Sequence, residues 1–138
     1  MKKVIVDTNI WSTVLRRNAV VDKDVRKNLE LLVEEGKVAI IGPIRQEILS
    51  GIKDDKKFHI LKSHLSAFED EPIITEDYEN AAKISNDCIA KGFAVTAIDA
   101  LIVSFAVRNG WEIYTKDKDF DRYSKITTMK KYIEQQVR

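Results

Sequence analysis

Apolar runs of strand length alternate along this chain with longer segments of helical period, the pattern of a parallel sheet covered on both faces by helices. Val4 to Val6 reads as the first strand, and Asp7, Thr8 and Asn9 open a short helix through Leu15. Asn18 to Asp22 reads as a loop. From Asp22 to Glu35 the apolar positions Val25, Leu29, Leu32 and Val33 share one helical face, and Gly36 stands where a C-cap glycine is expected. Val38 to Ile41 is the second strand; Gly42 and Pro43 break it and start a helix marked by Ile44, Ile48 and Ile52. A helix is expected from Lys56 to Phe68, then a short third strand at Ile73 and Ile74, then a long helix capped by Thr75 that runs to Lys91 and ends at Gly92. Thr96 caps the most apolar helix, with Ile98, Leu101, Ile102, Phe105 and Ala106, which stops at Asn109 and Gly110. A fourth strand, Glu112 to Thr115, leads into a turn with Asp117 and Asp119, and a last strand is expected near Ile126 to Met129. No repeat or linker interrupts this pattern, so residues 1–138 read as a single α/β domain.

Composition narrows the classes. With 138 residues, 44% of them hydrophobic, the chain has the apolar content for one core. The 23 Lys and Arg nearly cancel the 22 Asp and Glu, so net charge argues neither for nor against a nucleic-acid partner, which responds to local pattern. Basic residues recur in small groups, Lys2 and Lys3, Arg16 and Arg17, Lys23 to Lys27, Lys56 and Lys57, Lys130 and Lys131, suited either to tracking phosphates or to a solvated surface. Cys88 stands alone in a helical segment, which excludes a disulfide framework and a Cys-based zinc site and leaves a buried structural thiol. The apolar VIV after two lysines is too brief for a signal-peptide core, and no stretch approaches a membrane span; both place the chain in a reducing cytoplasm with no membrane partner.

Four stretches put an acid where a strand or turn hands over to a helix: VIVDTN at Asp7, GPIRQEILSG at Glu47, VTAIDALI at Asp99 and IYTKDKDF at Asp117. Each has an ordinary explanation. Asp7 suits an N-cap, Asp117 an Asx-turn, Asp99 a capping box with Thr96, and Glu47 an exposed helical charge. As a set they mean more, because ligands of an open parallel sheet collect beyond the carboxyl ends of its strands, where Asp7 and Asp117 sit. Asp99 adds an acid to an otherwise apolar helix, where an uncompensated carboxylate is costly to bury. Like charges gathered in a poorly solvated cleft either take up protons or bind cations, and hard oxygen donors favour Mg²⁺ or Mn²⁺.

The VDTN strand end, the P-x-x-x-E-I-x-x-G segment from Pro43 to Gly51, the D-A-L-I segment from Asp99 and the T-K-D-K-D-F segment from Thr115 follow one another at spacings that resemble a PIN domain, from Val4 to about Met129. The short single-domain build looks most like the VapC-type toxins of toxin–antitoxin pairs. The resemblance implies a three-layer α/β/α sandwich with a mainly parallel central sheet, and a Mg²⁺- or Mn²⁺-dependent endoribonuclease site acting on RNA. It carries the acidic quartet onto Asp7, Glu47, Asp99 and Asp117, with Thr8 as an accessory hydroxyl and Asp119 as a reserve metal ligand. Many relatives have Asn where Asp117 keeps its charge, which favours metal binding here. Two divalent ions roughly 4 Å apart would balance four carboxylates and activate water, giving a 5′-phosphate and a 3′-hydroxyl; one ion is the alternative. A cognate antitoxin and a homodimer are the implied protein partners, with Trp11 and Leu15 among the candidate contacts.

Other readings compete. A housekeeping PIN nuclease in RNA processing and a non-catalytic PIN-like interaction module share the fold. A haloacid-dehalogenase-like enzyme needs a second Asp where Asn9 stands, a receiver module needs an acidic pair at Asp7, and no G-x-G-x-x-G follows a strand. His59 and His64, at i, i+5, fall on different helical faces and read as incidental. Trp11 and Trp111 read as core or interface before base-stacking platforms.

Overall fold

The computed structural model describes residues 1–15 and 22–136. Three strands, β1 (Val4–Val6), β2 (Val38–Ala39) and β3 (Glu112–Tyr114), form a wholly parallel sheet in the order β2-β1-β3. Val4 pairs with Val38 on one side and Glu112 on the other, and Val6 with Tyr114. The central strand is a continuous apolar run buried along its length, as a strand covered on both faces must be. The helices are α1 (Thr8–Leu15), α2 (Lys23–Glu34), α3 (Gly42–Leu49), α4 (Asp55–Leu65), α5 (Thr75–Ala90), α6 (Ala97–Asn109) and α7 (Asp119–Ile126). The layering is the α/β/α sandwich expected. Among the described residues no helix is long and apolar enough to cross a membrane. Arg16, Arg17 and the loop expected from Asn18 lie outside the described residues as far as Val21; Asp22 is described and caps α2, accepting from the N–H groups of Asp24 and Val25.

Several expected elements differ: β2 stops at Ala39, short of Ile41, and α3 at Leu49, before Ile52. Ile73 and Ile74 form no strand: pairing falls earlier, at an isolated parallel bridge between Ile40 and Asp70, with Glu71 N–H on the Ile40 carbonyl at 2.8 Å. Ile74 instead takes the N-cap position expected of Thr75, and its N–H donates to the Asp77 carboxylate at 2.9 Å. The turn after β3 is followed at once by α7, a helix the charged string DKDFDR conceals; its i, i+3 pair Phe120 and Tyr123 is fully buried and holds it down. Ile126 therefore closes a helix and starts no strand, and the chain returns to the sheet at Lys131, bridged to Ile113. The helix expected to reach Phe68 stops at Leu65, where the Arg45 guanidinium from α3 donates to the carbonyls of Leu65 and Phe68.

Ile5, Val6, Ile10, Ile41, Ile44, Ile102, Ile113 and Phe120 form the apolar centre, with a smaller cluster of Ala81, Ala100 and Leu101. Cys88 is buried in α5, and burial pushes its thiol above its ordinary pKa. Trp11 is 4% exposed, donates its indole N–H to the Val6 carbonyl at 3.1 Å and packs edge-on against Phe68. It belongs to the core and offers no surface to a partner or a base, which removes it from the expected contacts; Leu15 stays half-buried at the end of α1.

Helices α5 and α6 are joined by a buried acid. Asp77 is inaccessible to solvent and takes two hydrogen bonds from the Arg108 guanidinium, at 2.6 and 2.9 Å. Burial pushes its carboxyl up, but the Arg108 and Ile74 hydrogen bonds and the Arg108 charge outweigh that and leave it below the ordinary carboxylate range. Its ionised form therefore stabilises the fold above the unfolded-state pKa of about 3.9, and that contribution is lost as pH falls through the lower folded value. Arg108→Ala strands this charge and should cost about 3 kcal/mol at pH 7, read by urea unfolding. Repeated near pH 3, where Asp77 of the variant is protonated, the difference from wild type should shrink to less than half.

Candidate active site

The parallel sheet ends its central and β3 strands side by side, and the chemistry begins there. Asp7 follows β1 directly, its N–H on the Tyr114 carbonyl of β3 at 2.9 Å, and its own carbonyl accepts the N–H of Ile10 as α1 starts. Only 5% exposed, its carboxylate is held by three donors: Thr8 N–H at 2.8 Å on Oδ1, and the Thr115 hydroxyl at 2.8 Å and Asn9 Nδ2 at 3.0 Å on Oδ2. Three donors on a group with about four acceptor positions fix its rotamer and leave Oδ1 room for one more partner.

Asn9 and Thr115 form a brace that sequence reasoning missed. Asn9 Nδ2 also reaches Thr115 Oγ1 at 3.0 Å, and its Oδ1 accepts the Lys116 N–H at 3.0 Å. Thr115 Oγ1 in turn accepts the Asp117 N–H at 3.0 Å, and the Asp117 carboxylate accepts the Asp119 N–H at 2.9 Å. One hydroxyl thus links the carboxylate of Asp7 to the backbone that carries Asp117. The signal lay in plain view, since small polar residues stand beside an acid at both strand ends, DTN and TKD.

Asp99 lies in the first turn of α6, where its N–H bonds the Thr96 hydroxyl at 3.1 Å, so the capping reading and the site reading both hold for one residue. Its half-buried carboxylate accepts the Tyr123 hydroxyl of α7 at 3.3 Å. Burial, then the charges of Asp99 and Asp119, push that phenol above its ordinary pKa and keep it a donor. Glu47 lies on the exposed face of α3, one residue before the buried Ile48. Asp117 is half-buried in the loop before α7.

The four acids feel one another. Burial pushes the Asp7 carboxyl upward against its hydrogen bonds from Thr115 and Thr8, and the charges of Glu47 and Asp117 add to the rise. Asp99 goes further, to about 6, through burial first and then the charges of Asp7, Asp117 and Glu47. Asp119 is exposed in the first turn of α7 and is not among the charges acting on Asp7 or Asp99. His59 and His64 are exposed on α4 and take no part. Among the described residues no group of three or more His, Cys, Asp or Glu is close enough to cage an ion by itself, so the quartet is a set of electrostatic neighbours. One more polar atom awaits a partner there: Thr8 Oγ1, buried and without a hydrogen bond.

Comparison with known proteins identifies the family and the fold. Residues 4–126 match the PIN domain. The sequence is 32% identical over 133 residues to VapC ribonuclease Mb1587 of Mycobacterium bovis and, equally, to ribonuclease VapC11 of Mycobacterium tuberculosis, with 91% of this chain and 95% of each relative covered. The fold is similar to that in the crystal structure of VapBC2 from Rickettsia felis bound to a promoter DNA fragment, with TM-score 0.71 and 22% identity over 86% of this chain and 91% of that one. FitAcB from Neisseria gonorrhoeae superposes with TM-score 0.76 and 19% identity, over 94% and 96% of the two chains. With residues 4–126 matched and 32% identity over 91% of its length, the chain belongs to the PIN domain family.

Proposed function

We infer that this chain is a divalent-metal-dependent endoribonuclease, hydrolysing RNA phosphodiester bonds as the toxin of a toxin–antitoxin pair. The reading is supported by Asp7 and Asp99, two buried or half-buried acids whose carboxyls are pushed up by burial and then by neighbouring charges, those of Glu47 and Asp117 on Asp7 and those of Asp7, Asp117 and Glu47 on Asp99. The VapC ribonucleases at 32% identity support RNA as the substrate class.

The residues present fit a hard divalent ion. All donors are oxygens, the carboxylates are short of positive charge, and the buried Thr8 hydroxyl lacks a partner. Asp7, Asp99, Glu47 and Asp117 would hold Mg²⁺ or Mn²⁺, with Asp119 in reserve. When bound, the ion supplies charge neutralisation for the phosphodiester and a more acidic water. The chain supplies the rest. Asn9 and Thr115 hold Asp7 in one rotamer, so the carboxylate need not reorganise during reaction. Tyr123, a persistent donor, orients the Asp99 carboxylate through Oδ2. A housekeeping nuclease would share all of this chemistry, and growth phenotype separates the two.

Asp7→Asn and Asp99→Asn should each reduce RNA cleavage by at least about 100-fold, the scale of losing one preorganised charged group, while far-UV circular dichroism stays unchanged. Full cleavage by either variant would remove the quartet from the mechanism. Glu47→Gln and Asp117→Asn should also impair cleavage.

The metal-free fold should show the strain directly. Asp99 has a folded pKa of about 6 against about 3.9 unfolded, so its contribution to stability is present below the unfolded value and is lost as pH rises through the folded one. In EDTA, melting temperature should fall between pH 5 and pH 7.5, and Asp99→Asn should flatten that slope. Mg²⁺ at about 100 times its dissociation constant adds roughly 2.7 kcal/mol to the folded state. Its melting gain should be larger at pH 7.5 than at pH 5, because protons compete for the same oxygens.

Silencing such a site calls for a cation among the carboxylates, and an antitoxin segment bearing Arg or Lys is the simplest form. Expression of this chain alone should arrest growth, Asp7→Asn should not, and the gene beside it should rescue. Harmless expression of an active wild type would favour the housekeeping role.

A further inference from the structure

Four carboxylates repel the substrate that this site is inferred to cut, so the RNA must be gripped by something beside them. Beside Asp99, two aromatic rings and a cation stand against one another. Tyr123, whose hydroxyl reaches Asp99, is stacked by Phe93 with ring centroids 6.4 Å apart and planes 25° from parallel. Over the Phe93 ring lies the Arg122 guanidinium, its central carbon 5.7 Å from the centroid. The three groups make a column that runs from the acidic site outward: Tyr123 is buried, Phe93 half-buried and Arg122 exposed.

The column's outer end lacks the partners a purely structural cation would take. Arg122 sits on a helix that also carries Asp119 and Asp121, yet among the described residues it is in no ion pair and rests on an aromatic face. Asp121 is instead engaged by Lys131 at 3.1 Å. Phe93 is held in place by its backbone, its N–H on the Cys88 carbonyl at 3.1 Å, in the short connection between α5 and α6. An aromatic ring fixed by its backbone, topped by an unpaired planar cation and standing beside the reacting groups, matches how proteins hold an unpaired nucleotide.

We propose that Phe93 and Arg122 form the subsite for the nucleotide next to the scissile phosphate. On binding, the base stacks on Phe93 and the guanidinium moves from the ring face to the adjoining phosphate, which it engages through two parallel N–H groups. A base inside an A-form duplex is stacked on its neighbours and cannot reach the ring. The inference rests on the ribonuclease reading above and adds to it the residues that hold the neighbouring nucleotide.

The test is steady-state cleavage, with Mn²⁺, of an RNA of roughly 12 nucleotides, free or annealed to its complement, a length within the usual span of single-strand sites. Wild type, Phe93→Leu, Arg122→Gln and Arg122→Lys are compared. Phe93→Leu keeps the apolar volume that packs on the core, and Arg122 is exposed, so both positions should leave the fold and the Mn²⁺-induced melting shift intact. Wild type should cut the free strand at least about 10-fold more efficiently than the duplex. Phe93→Leu and Arg122→Gln should each raise KM on the order of 10-fold with kcat within about 2-fold, the loss expected for one stacking or phosphate contact. Arg122→Gln should also flatten the dependence of log KM on log salt by about 0.7, the value for one phosphate contact on a single strand, and Arg122→Lys should restore that slope. Unchanged KM in both Phe93→Leu and Arg122→Gln, or equal cleavage of duplex and free strand, overturns this inference while the ribonuclease reading stands. A wild type that binds Mn²⁺ but cuts neither RNA overturns both.

Discussion

The rest of the structure is organised around a carboxylate held where it is electrostatically unwelcome. Asp7 sits at the seam where β1 and β3 end, 5% exposed, its pKa raised by burial first and then by two further acids, with three donors restraining it. Without the donors the group would turn to water or take a proton; without the acids it would be only the start of a helix. The parallel sheet order β2-β1-β3 matters because it brings the carboxyl ends of the central and β3 strands together. One strand end then supplies Asp7 and the other supplies Thr115, whose hydroxyl bonds that same carboxylate.

Two buried acids in this chain have opposite fates, and the contrast separates scaffold from site. Asp77 has no exposure at all, yet Arg108 and the Ile74 N–H hold it ionised with a lowered pKa, so its charge contributes to the join between α5 and α6. Asp99 is less buried but faces other acids, with a single phenol for company, and its pKa rises to about 6. Burial is common to both. What differs is whether the surrounding structure supplies a cation, and a site that withholds one keeps a deficit that a bound ion or an inserted basic side chain relieves.

Much of this was legible in the sequence. The VIV, VAII and EIY runs and the periodic apolar positions of α2 and α6 announced the parallel architecture, and the four strand-to-helix acids marked the candidate site. The misreadings share a cause, that local pattern was taken for structure where tertiary contacts decide. Ile73 and Ile74 look like a strand, but Ile74 is 43% exposed and serves as the entry to α5 because Asp77 captures its N–H. The string DKDFDRYSKI looks like a polar turn, while two buried aromatics three residues apart make it α7. Trp11, weighed as a surface contact, is consumed by Val6 and Phe68. Asn9 and Thr115 escaped notice because their importance lies in hydrogen bonds across more than a hundred residues of sequence, which no local window contains.

The helix that sequence reasoning missed is also the one that gives the acidic edge its surroundings. Through Tyr123, α7 reaches Asp99; through Arg122, it places a cation over Phe93; and its first residue donates an N–H to the Asp117 carboxylate. Phe120, fully buried, and Tyr123, 1% exposed, fix the helix to the core, so these three contacts are set by packing and not by the mobility of a surface loop. On the proposed subsite, a polyanion approaching the quartet would meet repulsion from the acids and attraction from the Arg122 guanidinium on α7. Such a juxtaposition discriminates by geometry, because a substrate gains only if its phosphate and its base reach their separate places at once.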